Sequence, residues 1–351
     1  MSTELPPPPT LGDQPRWVQV QVEPELLPDL RFDGTEGPFA AGCRALGLSD
    51  LRRVGEWIRE LPYGRSLGGR DPRWLLVEGR STCTSGSGLV HGLARELGRH
   101  LPLVWLVFTL DGRTHPQVEP VLRAHGTDGV LEVHTVLSCD GAILDLAAPA
   151  PMELPVWAQT ETHLAALGAR KVAWHRALLG DGADGDRRWT AREACIRALT
   201  PPVAGVRAVP VEAVRALRHE VLRPGRPPSS ARFEADHEPG TLHVAWQAED
   251  GTVRAVGSSI VRTRSDGPPG GRQIRGMAVA VEHRGRGLGR AIGRALVAHA
   301  AAFGAPEVWC NARVSAVGLY TGLGFQPLGG PFDLPPIGPH QRLHLPFPRA
   351  R

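Results

Sequence analysis

The stretch Glu282–Val297, EHRGRGLGRAIGRALV, decides how this chain is read. Gly285, Gly287 and Gly289 alternate with Arg284, Arg286, Leu288 and Arg290, just ahead of a run of good helix formers. Glycine at that density destabilises a helix start. Either the chain merely turns here, or something large and anionic comes within touching distance of the backbone. Upstream, QIRGMAVAV (273–281) sets Ile274, Met277, Val279 and Val281 among smaller residues, as a central strand would. Downstream, Leu288, Ile292, Leu296, Ala300 and Phe303 recur at the three- and four-residue steps of an amphipathic helix. The glycines therefore fall at a strand-to-helix turn. Unpaired N–H groups and the positive end of the helix dipole can cradle phosphate oxygens there, and glycine removes the Cβ atoms that would hold them off.

Two familiar phosphate loops do not fit. The dinucleotide fingerprint needs G-x-G-x-x-G, and its third glycine is missing; a Walker A loop needs a Lys-Ser/Thr pair that does not follow. What fits is Arg-x-x-Gly-x-Gly, carried by Arg284, Gly287 and Gly289. With it, residues 205–347 resemble the GCN5-related N-acetyltransferase (GNAT) superfamily. VRALRHEVLRPGRP (214–227) is similar to that family's opening helix and substrate-side loop, RGMAVAVEHRGRGLGRAI (275–292) to its fourth strand, pyrophosphate loop and third helix, and GLYTGLGFQPLGGPF (318–332) to its fourth helix and the turn that follows.

The resemblance implies acetyl-CoA as cofactor and a small-molecule or peptide amine as acceptor. It implies that two strands splay at a bulge to admit the pantetheine arm. By position, Met277, Ala278 and Val279 would supply strand contacts to the cofactor. Arg284, Gly285, Arg286, Gly287, Leu288, Gly289 and Arg290 would hold the pyrophosphate. Tyr320 would protonate the leaving thiolate, a task that suits a phenol still protonated at neutral pH; a core aromatic in an amphipathic helix is the plain alternative. Where many family members have an asparagine, this chain has Arg313, with Asn311 nearby but out of register. The motifs name no general base; Glu234, Asp236, His237, Glu238 and His340 could each relay a proton.

The first half holds a different pattern. In EGRSTCTSGSGLVHGLARELG (78–98), Cys83 stands directly before a helix whose apolar face includes Leu89, Leu93 and Leu97, a position that stabilises a thiolate. Downstream, LEVHTVLSCDGAILDLAAP (131–149) holds His134 and Asp145 on successive strand patterns joined by a turn at 139–141. Nucleophile, base and orienter are thereby present, although buried core residues would satisfy the same spacing. Order and context resemble the transglutaminase-like (papain-like Cys-His-Asp) superfamily over about residues 36–200, with LPYGR (61–65) and REACI (192–196) similar to a bacterial branch of it. Where that branch has a Lys-His pair after the cysteine, this chain has Gly86 and Ser87.

Length and composition bound the rest. A chain of 351 residues with 42% hydrophobic content suits two cored domains. The net charge of +4 is nearly all arginine, Lys171 being the sole lysine, and no basic stripe suited to nucleic acid is present. The N-terminal MSTELPPPPT has no apolar segment of signal-peptide type, and LPLVWLVFTL (101–110) is far short of the roughly 20 residues that span a bilayer; it reads as a buried strand. Five dispersed cysteines show no zinc spacing and suggest no disulfide framework. The expectation is a cytoplasmic, metal-free α+β protein in three parts. Residues 1–33 form a proline-rich arm that includes one strand-like stretch, RWVQVQV (16–22), 34–200 a transglutaminase-like domain, and 203–351 a GNAT domain with a mixed, mostly antiparallel sheet flanked by helices. The halves should be separable near Pro201–Pro202, and GDGADGDRR (180–188) should be a loop. The function expected is acetyl transfer to an amine. A cysteine-dependent amidase or acyltransferase centred on Cys83, and a non-catalytic acyl-CoA or amide sensor, are the alternatives.

Overall fold

The computed structural model describes residues 11, 13–34, 37–200, 202–335 and 337–348; the opening MSTELPPPPT and Pro201 lie outside them. Up to Leu199 the chain builds β1 (Arg16–Gln21), α1 (Pro38–Ala45), α2 (Leu51–Glu60), α3 (Trp74–Glu78), α4 (Cys83–Glu96), β2 (Leu103–Asp111), α5 (Glu119–Ala124), β3 (Gly129–Cys139), β4 (Ala142–Leu144), β5 (Met152–Thr162), α6 (Ala169–Leu179) and α7 (Gly182–Ala198). The five strands close into a barrel in the order β1-β4-β3-β2-β5, with β5 returning to β1. The apolar run at 101–110 becomes β2, buried at every position but Thr109. β3 and β4 form a hairpin because Asp140 and Gly141 both accept positive φ, 47° and 88°, the two-residue turn whose twist matches that of the strands.

Two expectations fail in this half. Residues 1–33 read as an arm, yet β1 runs parallel to β4 and antiparallel to β5 inside the barrel, with Val20 and Leu27 fully buried. The strand-like RWVQVQV does become a strand, but its partners lie far downstream, so nothing local signals that it closes a barrel. The glycine and aspartate run at 180–188 is not a loop but opens α7 at Gly182. Asp184 pairs with Arg187 and Arg188 one turn on, at 3.0 and 2.7 Å, while Ala191 and Cys195 of the same helix enter the barrel-side core. Burial of one face outweighs the poor propensity of its first turn.

The second half forms β6 (Gly205–Ala208), α8 (Val211–Leu222), β7 (Leu242–Gln247), β8 (Val253–Val261), β9 (Arg272–Val279), α9 (Leu288–Ala302), β10 (Glu307–Arg313), α10 (Val317–Thr321), β11 (Gln326–Leu334) and β12 (Gly338–Pro346). Its seven strands lie in the order β11-β12-β10-β9-β8-β7-β6. Every neighbouring pair is antiparallel except β9 and β10, which pair only at Arg272–Val308 and Gln273–Trp309 before they part. A register shift between β8 and β9 brackets Gly276, whose φ of 65° suits glycine. Helix α9 packs Ile292 and Leu296 on one face of this sheet, and α8 packs Val214 and Leu217 on the other.

α9 also reaches into the first half. Ala298 and Ala302 belong to the core built by Leu51, Ile58 and Leu89. Gly42 of α1 lies so close that a Cβ there would stand 2.7 Å from the Ala302 methyl. Arg73 donates through Nη1 to the Ala302 carbonyl at 2.8 Å and stacks its guanidinium on Phe303 at 4.5 Å. Among the described residues, no helix is long and apolar enough to cross a membrane.

Candidate functional site

The glycine-rich turn stands where the sequence places it, between β9 and α9. Gly285 and Gly287 take φ of 75° and 82°, and no atom lies within 4 Å of where their Cβ atoms would be, so the loop faces open space. Gly287 is the N-cap of α9 and offers no capping side chain, and the first turn carries no acidic residue. The first helical bond is Ala291 N–H to Gly287 O at 3.0 Å, which leaves the amides of Leu288, Gly289 and Arg290 without helical partners. Arg284, Arg286 and Arg290 stand exposed around them. The buried Leu288 side chain anchors the helix start in the core, so this residue can serve an anion only through its backbone. An open, uncapped, arginine-flanked helix start fits a pyrophosphate.

β9 supplies the adjoining groove. Ala280 donates its N–H to Arg254 O on the β8 side at 2.9 Å. By alternation, the peptide groups of Met277 and Val279 face the β10 side, where the strands have parted. Ala278 is different: it pairs with Val256 of β8 and buries its methyl against α8, so its peptide faces away from the gap. Tyr320 on α10 is buried, edge-on to Phe325 at 5.5 Å. Burial, with Cys310 nearby, pushes its phenol well above its ordinary pKa of 10.0 and keeps it a proton donor.

The suggested bases separate clearly. Asp236 is buried in an ion pair with Arg218 at 2.9 Å, Glu234 is exposed on Arg262 at 3.0 Å, and His237 meets Arg215 at 2.8 Å. His340 is buried with Nδ1 on the Gly338 carbonyl at 2.7 Å. Asn311 accepts from Arg342 at 3.4 Å.

In the first half, Cys83, His134 and Asp145 converge. Cys83 opens α4 behind the N-cap Thr82, whose hydroxyl accepts from Ser85 N–H while Ser85 Oγ accepts from Thr82 N–H, a reciprocal cap that fixes the helix start. His134 on β3 bonds Asp145 Oδ2 through Nε2 at 2.7 Å, and it lies close enough to Cys83 for their charges to act on each other. Asp145, just past β4, is buried and takes a further bond from Ala147 N–H at 2.9 Å. Burial alone would raise the Cys83 thiol, but His134 and Lys171 bring it down to about 6. Burial alone would lower the imidazole, but Cys83 and Asp145 on either side raise it well above 6.5. The favoured state is a thiolate–imidazolium pair.

Spacing did not reveal what surrounds this pair. Lys171, the sole lysine of the chain, is buried and donates to Thr84 Oγ1 and Thr135 Oγ1 at 2.8 and 2.9 Å. Tyr63 stands beside Cys83, its phenol pushed well above 10.0 by burial and by the nearby thiolate. Arg192 grips Glu132 through two bonds of 2.7 and 2.8 Å, and Arg65 pairs with Glu193 at 2.8 Å. The only sequence signal for these groups was that LPYGR and REACI contain Tyr63, Arg65, Arg192 and Glu193. A cavity of about 460 Å³ opens on Cys83 and Lys171, and another of about 340 Å³ on His134 and Asp145.

Comparison with known proteins bears on the second half. A family model described as the acetyltransferase (GNAT) family matches residues 211–325. The chain is 32% identical over 136 residues to YitI, an uncharacterised N-acetyltransferase of Bacillus subtilis (strain 168), an alignment covering 38% of this chain and 91% of that protein. Among solved structures, a GCN5-related N-acetyltransferase from Kribbella flavida aligns at 22% identity with a TM-score of 0.34, over 41% of this chain and 98% of its own. A phosphinothricin acetyltransferase (Pat) from Sinorhizobium meliloti, solved in complex with AcCoA, aligns at 20% identity with a TM-score of 0.34, over 41% and 89%.

Proposed function

The chain belongs to the acetyltransferase (GNAT) family, and on that premise we propose that its second half moves an acetyl group from acetyl-CoA to the amine of a small molecule or peptide. The observation that carries the reading is the parting of β9 from β10 after Gln273 and Trp309, beside an uncapped helix start. Acetyl-CoA supplies the activated thioester. The amides of Leu288, Gly289 and Arg290, with Arg284 and Arg286, hold its pyrophosphate, and Gly285 and Gly287 let it approach. The peptide groups of Met277 and Val279 line the pantetheine arm and polarise the thioester carbonyl. Tyr320 returns a proton to the leaving sulfur. A screen of amines that follows release of the free CoA thiol, run beside acetyl-CoA calorimetry on the full chain, tests this. Amine-dependent thiol release is expected, and absence of acetyl-CoA binding would overturn the reading.

A second centre rests on a separate observation, the His134–Asp145 bond with Cys83 close enough for its charge to act on the imidazole. A cysteine opening a helix against a barrel that carries histidine and aspartate supports the transglutaminase-like reading of residues 34–200, and with it a thiol-dependent acyl-transfer or amide-cleaving site. The five free, buried cysteines favour a reducing compartment such as the cytoplasm.

A further inference from the structure

Resting on the amine-acetyltransferase reading, we propose that the acceptor amine carries an anionic group, carboxylate or phosphate, held by Arg275 and Arg223 at the closed end of the gap between β9 and β10. The gap opens just after Gln273, Arg275 is the next position but one along β9, and Gly276 follows it. Gly276 has no side chain because two groups press on it: a Cβ there would stand 2.9 Å from Arg218 Nε and 2.9 Å from the Phe233 ring. That ring gathers three guanidinium groups, Arg218 at 4.2 Å, Arg275 at 4.4 Å and Arg223 at 5.7 Å.

The three arginines are not equivalent. Arg218 is fully buried and committed: its nitrogens donate to both Asp236 oxygens, the Ala231 carbonyl and Ser258 Oγ. Arg275 is half-buried and, among the described residues, its side chain has no hydrogen bond or ion pair. Among the described residues, the Arg223 side chain donates only to the neighbouring Leu222 carbonyl, at 2.9 Å. The carboxylates facing this cluster are already engaged, Asp236 by Arg218 and Glu234 by Arg262. Burial, then Arg262 and Arg218, depress Arg275; burial, then Arg226, Arg313 and Arg218, depress Arg223. Cations held against like charges without a counter-ion are costly. A cover for Phe233 alone would be served by an apolar side chain, whereas an anion entering here meets the Arg275 guanidinium and the remaining nitrogens of Arg223.

The same field suits the chemistry. Positive neighbours disfavour an ammonium, so an incoming amine is held in its neutral, nucleophilic form without a dedicated base. Its nitrogen lone pair attacks the thioester carbonyl carbon, the C–N bond forms as the C–S bond breaks, the sulfur takes the Tyr320 proton, the nitrogen releases one to water, and water returns a proton to the Tyr320 oxygen. Polycationic acceptors are repelled from the same place.

The test is an acetylation panel on the full chain, read as free thiol release, comparing α-amino acids and phosphoethanolamine with spermidine and uncharged amines of similar size. Anionic amines should exceed the others in kcat/KM by about tenfold or more, and amino acids against phosphoethanolamine tell which anion fits. Arg275→Met keeps the stack on Phe233 and should raise KM for anionic amines while sparing uncharged ones; Arg275→Lys should restore part of the loss. Preference for spermidine, or an equal effect of Arg275→Met on every acceptor, overturns the proposal. Failure of acetyl-CoA to bind at all would instead overturn the reading on which it rests.

Discussion

His134 donates through Nε2 to Asp145 Oδ2 at 2.7 Å, so Nδ1 is the ring nitrogen left for the Cys83 thiol. This bond fixes both the tautomer and the plane of the imidazole, and it separates Cys83 from the other four cysteines. Burial pushes Cys43, Cys195 and Cys310 upward and Cys139 to about 11, whereas Cys83 comes down to about 6.

Iodoacetamide at neutral pH should therefore label Cys83 first, as read by peptide mass spectrometry. A depressed thiol loses its thiolate only as pH falls through about 6, so the labelling rate should be flat from pH 7 to 8 and drop below 6. His134→Ala should slow labelling at pH 7 by about tenfold and move the curve toward that of an ordinary thiol. An unchanged rate would mean that the imidazole does not act on the sulfur.

Lys171→Met removes the only lysine and leaves a side chain of similar length. The half-maximal pH for Cys83 labelling should rise by about one, as expected on loss of a neighbouring cation, while the melting temperature holds. A curve indifferent to the substitution would make Lys171 a packing residue that serves Thr84 and Thr135 alone.

Tyr320→Phe keeps the ring against Phe325 and deletes the hydroxyl. We expect kcat to fall by about 10²–10⁴-fold, with acetyl-CoA affinity by calorimetry unchanged. Weaker binding with normal kcat would reassign Tyr320 to the binding wall.

Gly287→Val places a branched side chain on a residue with φ of 82° at the mouth of the loop. Acetyl-CoA affinity should drop at least about tenfold, roughly 1.4 kcal/mol. Gly289→Ala is the control for strain: a methyl there meets Val279 and Leu319 at ordinary contact, 3.5 and 3.6 Å, so any loss of affinity reports on the ligand's approach. Wild-type affinity in both variants would remove the loop from the binding site.

Where a periodic pattern is long and its partners are near, the sequence is easily read. The helix read in VRALRHEVLRPGRP stands at Val211–Leu222, the strand read in QIRGMAVAV ends at Val279, and the amphipathic helix read from Leu288 to Phe303 spans Leu288–Ala302. The Asp140–Gly141 turn carries its own signature, which is why His134 and Asp145 could be paired on paper. Pairings across long stretches of chain leave no such mark. β1 is short and proline-flanked; RWVQVQV reads as strand-like, but its place between β4 and β5 does not show in the sequence. Lys171 reaches Thr84 from a helix 87 residues on, and no spacing rule connects them. The proline pair at 201–202 suggested two separable halves, while Arg73 and Ala302, 229 residues apart, join them.

Helix α9 thus has two employers, one at each end. Its first turn follows the glycine-rich turn, and its last turn is a piece of the other half's interior. A ligand held at Leu288 should therefore be felt at α1 and α3, which it never touches, through suppressed opening of a shared rod. At a hundredfold excess over Kd, acetyl-CoA adds about 2.7 kcal/mol to the native state. Amide hydrogen exchange should then slow at Ala40–Cys43 as well as along α9, and protection confined to residues beyond 203 would show that the two ends open independently.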